Sequence, residues 1–128
     1  MAGTITVLLV DEDSDVLELT QTFLEREDDA IDVTTETSAP DALDRLESES
    51  FDCIVSDYAM PSMSGIDFLR EARDREPGLP FFFFTGKSQE EIETEAGGIE
   101  VTGHVQKGTG TDRYTDLAEE IRAAVQPS

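Results

Sequence analysis

Five times along the chain a short apolar run gives way to an amphipathic stretch, and this alternation limits the possible folds more than any other feature. Ile5–Val10 is almost continuously apolar, as a strand buried on both faces requires. Asp13 or Ser14 then stands where it can cap a helix on which Val16, Leu19 and Phe23, with Leu17 and Leu24 alongside, form one apolar stripe. Residues 31–35 read as a weaker strand nearer an edge, and Ser38 caps a helix that turns Ala39, Ala42, Leu43 and Leu46 inward. Cys53, Ile54 and Val55 make the third strand, ending at Ser56 and Asp57. Residues 58–65 read as loop and 66–76 as the third helix, stopped by Pro77 and Gly78. The run Phe81, Phe82, Phe83, Phe84 is too aromatic for anything but a central strand. A polar helix over residues 88–96 closes at Gly97 and Gly98, and a fifth strand over 101–106 is interrupted by Gly103. The last helix covers residues 111–125, with Tyr114, Leu117 and Ile121 at helical spacing.

Five strand-then-helix repeats imply a parallel sheet with helices on both faces, because each crossover is right-handed and must cover the sheet. Ligands of such sheets gather beyond the carboxyl ends of the strands. Those ends carry Asp11 and Glu12 (first), Asp57 (third), Thr85 (fourth) and Lys107 (fifth). The second strand ends in Thr34, Thr35 and Glu36 and offers nothing as pointed.

Composition removes several function classes. The 128 residues suffice for one domain, and 30 Asp+Glu against 9 Lys+Arg give a net charge of −21. A phosphate backbone demands a cationic patch, so direct nucleic-acid binding is not expected. One cysteine excludes a disulfide framework and a thiolate zinc cage, and no apolar run reaches the ~20 residues that span a bilayer. The first residues lack the basic stretch and apolar core of a signal peptide, which makes the cytoplasm the expected compartment. The acids are spread over most elements rather than gathered in a tail, which reads as adaptation to a salt-rich cytoplasm; an acidic docking surface for a basic partner is the alternative.

Carboxylates converging on one crevice repel by ~4 kcal/mol per pair at ~4 Å and an effective dielectric near 20. A hard divalent cation relieves this, and oxygen-only ligands suit Mg²⁺. Lys107 would offset the remaining charge, and Thr85 would add a neutral donor. Together these groups form an inventory for receiving a phosphoryl group on a carboxylate.

The residues Val10, Asp11 and Glu12, the string Asp57-Tyr58-Ala59-Met60-Pro61-Ser62-Met63-Ser64-Gly65, the pair Thr85 and Gly86, and Lys107 together resemble the receiver domain of two-component response regulators, of a halophilic archaeal type. The resemblance implies a flavodoxin-like doubly wound sheet of order 2-1-3-4-5 and a single receiver domain over 1–128, with its core at about 4–125. It implies Asp57 as phosphoacceptor, with Thr85 and Lys107 contacting the phosphoryl group. Mg²⁺ (or Mn²⁺) would be held by Asp11, Glu12, Asp57 and the backbone carbonyl of Ala59. Thr85 and His104 take the switch positions, His104 where the family usually has an aromatic residue. Ala59 and Lys87 take the positions that tune loss of the phosphate, and Gly108 follows Lys107 where the family has proline. The implied partner is a histidine kinase or phosphotransfer protein, which phosphorylates Asp57 and so switches the surface of the fourth helix and fifth strand. The only chemistry implied is self-phosphorylation from a phosphodonor and autodephosphorylation, so the chain is no enzyme in the ordinary sense. A weak homodimer would use the fourth helix, fifth strand and fifth helix.

Two further readings compete: a haloacid-dehalogenase-type phosphatase with Asp11 as nucleophile, and an interaction module that works without phosphorylation. Other motifs fail on spacing. Gly86-Lys87-Ser88 resembles the end of a P-loop, but its first glycine would fall at Phe81. Asp11, Asp13 and Asp15 resemble a calcium loop, but Val16 and Thr22 occupy its glycine and glutamate positions. Cys53 reads as core filling.

Overall fold

A computed structural model describes residues 4–58, 60–61, 63–106 and 112–125 of the protein. Strands β1 (Ile5–Val10), β2 (Ile31–Glu36), β3 (Cys53–Ser56), β4 (Phe81–Thr85) and β5 (Gly103–Gln106) alternate with helices α1 (Ser14–Glu27), α2 (Ala39–Ser48), α3 (Gly65–Arg75), α4 (Gln89–Ala96) and α5 (Asp112–Val125). All strand pairs are parallel and the order is β2-β1-β3-β4-β5. The weak second strand is thus an edge, and the phenylalanine strand lies inside the sheet.

Alternation along the strands divides the core in two. Leu8, Val10, Ile54, Phe81 and Phe83 pack under α2, α3 and α4. Val7, Leu9, Val55, Phe82 and Phe84 pack under α1 and α5. Four phenylalanines in a row therefore feed both layers, two each, and all are buried.

Side-chain caps begin the first four helices where the backbone N–H groups lack partners. Asp13 Oδ1 accepts from the amides of Asp15 and Val16, Ser38 from Asp41, Ser64 from Asp67 and Ser88 from Glu91. Pro40 sits in the first turn of α2, where its missing N–H costs nothing.

Two expectations need correction. The face that α1 buries carries Leu17, Thr20 and Leu24, whereas Leu19 is 46% exposed and Phe23 is partly buried. The helix is rotated from the expected stripe because Leu17 and Leu24 stand seven apart, which keeps both on the sheet side through two turns. Thr20, between them, is carried into the core although polar, and its hydroxyl finds no hydrogen-bond partner among the described residues. The fifth strand begins at Gly103, not at residue 101. Thr102 instead finishes the ladder: its amide donates to Phe81 O at 2.9 Å, and its Oγ1 accepts from Phe81 N at 2.9 Å. Gly103 is where two elements crowd, since a Cβ there would stand 2.9 Å from both Phe82 Cδ1 and Glu120 Oε1.

Candidate phosphoacceptor site

The sheet register brings the first and third strand ends together. Val10 pairs with Ser56, so Asp11 and Asp57 leave neighbouring strands side by side. Asp57 N donates to Val10 O at 2.9 Å, and Asp11 N to Glu36 O at 3.3 Å, so both residues remain anchored just past the strands. Asp11 is buried, and its Oδ1 accepts from Asp13 N at 2.9 Å, which ties the acid to the entry of α1. Glu12 and Asp57 are partly exposed at the rim. Asp57 Oδ1 accepts from Tyr58 N at 2.7 Å. Asp11, Asp57, Thr20 and Phe84 line one small cavity between the sheet end and α1.

The other expected residues form a second group on the β4 and β5 side. Thr85 is the buried last residue of β4, and its Oγ1 accepts from Lys87 N at 3.4 Å. His104 Nε2 meets Lys87 O at 2.8 Å, and Gln106 Nε2 donates to Gly86 O at 3.1 Å. The ring of His104, expected at a switch position, is therefore tied to the loop after β4. Lys87 Nζ stands 3.6 Å from Glu91 Oε2 and 5.2 Å from the centroid of the Tyr58 ring. Ala59, Lys107 and Gly108 lie outside the described residues.

Carboxylates at adjacent strand ends supply hard oxygen donors, the chemistry that Mg²⁺ prefers over softer metals. Among the described residues no three His, Cys, Asp or Glu side chains are gathered into a ready metal cage. Asp11, Glu12 and Asp57 are all described, so this holds for the expected carboxylates too: Asp11 and Asp57 leave neighbouring strands, but the three are not gathered into one cluster. Cys53 has no part in this chemistry: it is buried, and burial followed by the charge of Asp52 pushes its thiol up to about 12.

Sequence reasoning passed over two residues here. Tyr58, only 7% exposed, packs its ring on Phe83 with centroids 5.4 Å apart. Its hydroxyl donates to Glu95 of α4. Burial, then the hydrogen bond and charge of Glu95, then the charge of Glu91, push the phenol well above its ordinary range, so it remains a donor. The position after Asp57 was legible only as loop, and Glu95 only as one acid among 30. Gly65 locks the same loop. Its amide donates to Tyr58 O at 2.8 Å, and a Cβ on it would lie 2.8 Å from Tyr58 Cα, Tyr58 O and Phe83 Cε1. The glycine that ends the string from Asp57 to Gly65 is thus required by close approach of backbone to backbone.

A model of the response regulator receiver domain matches residues 7–119. The chain belongs to the response regulator receiver family. Receiver domains of Clostridium thermocellum and Methanospirillum hungatei superpose with TM-scores of 0.81 and 0.83, each at 25% identity. The first match covers 94% of both chains, and the second covers 96% of this chain and 94% of the other. The response regulator SaeR of Staphylococcus epidermidis is 36% identical over 84 residues, 66% of this chain and 35% of its own length. The receiver domain thus spans about a third of the curated relatives it matches. Its five parallel strands in the order 2-1-3-4-5 are those of the flavodoxin-like receiver fold. No helix among the described residues is long and apolar enough to cross a membrane.

Proposed function

We propose that this receiver domain accepts a phosphoryl group on Asp57 from the phosphohistidine of a histidine kinase or phosphotransfer protein. A carboxylate oxygen of Asp57 forms the new bond to phosphorus as the bond from phosphorus to imidazole nitrogen breaks, and the nitrogen keeps the electron pair. The observation that carries this reading is the pairing of Val10 with Ser56, which sets a buried acid beside a rim acid at the sheet end that the fold uses for ligands.

Asp11, Glu12 and Asp57, with the carbonyl of Ala59, would hold Mg²⁺ or Mn²⁺. Bound there, the cation supplies charge neutralisation to the transferring group. Thr85 donates a hydrogen bond to the phosphoryl oxygens and Lys107 pairs with them. Thr85 and His104 then report the modification to the surface of α4 and β5. Ala59 offers water no polar side chain and Lys87 offers a charged one, so these two set the rate of autodephosphorylation. The chain acts as one receiver domain over residues 1–128, works in the cytoplasm, and makes no direct contact with nucleic acid. A weak homodimer through α4, β5 and α5 is the associated form.

The same proposal covers the charge. An excess of 21 negative charges over one small domain is a halophilic, archaeal-type adaptation, and screening by salt is what keeps its self-repulsion tolerable. The melting temperature is therefore expected to climb as KCl is raised from millimolar to molar; a flat profile would speak for an acidic docking surface instead.

The test of the acceptor is peptide mapping after incubation with acetyl phosphate and Mg²⁺ in molar KCl. The expected label is on the peptide containing Asp57. A label on Asp11 with steady hydrolysis of an aryl phosphate would instead establish the phosphatase reading, and no label at all would favour a module that works without phosphorylation.

A further inference from the structure

Tyr58 stands between the acceptor and the helix expected to respond to it, and each of its parts is held by a different element. Its amide donates to Asp57 Oδ1 at 2.7 Å, and its carbonyl accepts from Gly65 N at 2.8 Å. Its ring leans on Phe83 of β4, and its hydroxyl donates to Glu95 in the last turn of α4. Over the ring lies Lys87 Nζ, which also reaches Glu91 in the first turn of α4 at 3.6 Å. The Tyr58–Glu95 bond fastens the last turn of α4 to the loop after Asp57, and Lys87, paired with Glu91, bridges the first turn to the Tyr58 ring.

Little else holds α4. Only Ile92 and Ala96 are buried in it, and it carries Glu90, Glu91, Glu93 and Glu95 with no basic residue of its own. Four like charges on eight residues repel, and Lys87 is the cation placed against them.

We propose that Tyr58 is a positioning residue that couples the acceptor to α4 through a Tyr58–Glu95 latch, with Lys87 as its electrostatic pin. This rests on Asp57 being the acceptor. A phosphoryl group brings about two negative charges and strong acceptor oxygens to the residue next to Tyr58. It competes with Glu91 for Lys87, and without that cation over the ring the acids of α4 lose their compensation. The latch then opens, and α4 is released from the loop. Linkage makes the coupling reciprocal: whatever opens the latch also makes modification of Asp57 easier.

Two variants isolate the latch without removing the ring that packs on Phe83. Tyr58→Phe deletes the hydroxyl and Glu95→Ala deletes the oxygens that accept from it. Each is compared with the wild type by amide hydrogen exchange across residues 89–96, before and after treatment with acetyl phosphate and Mg²⁺, with intact mass recorded in parallel. In the wild type, modification is expected to speed exchange in α4. In both variants α4 is expected to exchange about fivefold faster than in the wild type before treatment, the low end of ordinary coupling, and to change little after it. A wild type that gains the phosphoryl mass, with variants whose α4 responds just as the wild type does, overturns the latch and leaves the acceptor intact. A wild type that gains no mass overturns the acceptor and the latch with it.

Discussion

β4 and α4 adjoin in the chain, separated by three residues, yet they are held by opposite means. Every residue of β4 is buried, and its phenylalanines serve both core layers. α4 buries two side chains and relies on a capping box at Ser88 and Glu91, plus its polar links to Tyr58 and Lys87. Apolar burial is nondirectional and hard to undo piecemeal, whereas caps and ion pairs can be exchanged for other polar partners at small cost. A signalling domain benefits from this division. The strand that carries Thr85 stays fixed, and the helix beside it stays free to respond.

The widest gap between the two regions is expected from Phe83→Ala and Ile92→Ala. Phe83 is fully buried between the acceptor loop and α3, so its truncation should cost about 3–5 kcal/mol in urea unfolding, with the whole domain affected. Ile92→Ala should instead act mainly through local opening of α4, seen as faster exchange over residues 89–96 at a smaller loss of global stability. Equal losses of global stability from the two would break the comparison. Ser88→Ala removes the oxygen that accepts from Glu91 N and the hydroxyl that donates to Glu91 Oε1, and should cost about 1 kcal/mol, again confined to α4.

Acid sharpens the contrast with the gentlest perturbation. Glu91 is held below its ordinary range, first by the Ser88 hydroxyl, then by the Ser88 amide and the charge of Lys87. A carboxylate depressed on folding contributes stability that is present above its unfolded value and is lost as pH falls through the folded one. The protection of α4 amides, taken relative to the intrinsic rate at each pH, should therefore fall as pH drops below the ordinary carboxylate range, while β4 amides remain protected. Protection of α4 that is indifferent to pH would remove Glu91 from the account.

The fold was legible because its signals were local and apolar. Ile5–Val10 and the four phenylalanines could hardly be anything but buried strands, and Asp13 and Ser38 cap the helices that follow them. What failed was rotation about a helix axis. Leu19 and Leu17 look alike in a sequence, and only packing against β1 and α5 decides which is buried. That Asp11, Asp57 and Thr85 stand at the carboxyl ends of their strands was legible because the strand runs end there. The Tyr58–Glu95 contact was not, because it joins residues 37 apart through a loop whose path only the folded chain defines. His104 was read only as the residue at the family's aromatic position, and its bond to the Lys87 carbonyl is a matter of side-chain direction that spacing cannot supply.

The central claim is that Asp57 is the atom-level destination of the phosphoryl group. Intact mass spectrometry of the wild type and Asp57→Asn, each incubated with acetyl phosphate and Mg²⁺ in molar KCl, tests it most directly. The wild type should gain the mass of one phosphoryl group and lose it again in mild base, and Asp57→Asn should gain nothing. A stable, unmodified wild type, or an Asp57→Asn chain that takes up the group as readily, would contradict it.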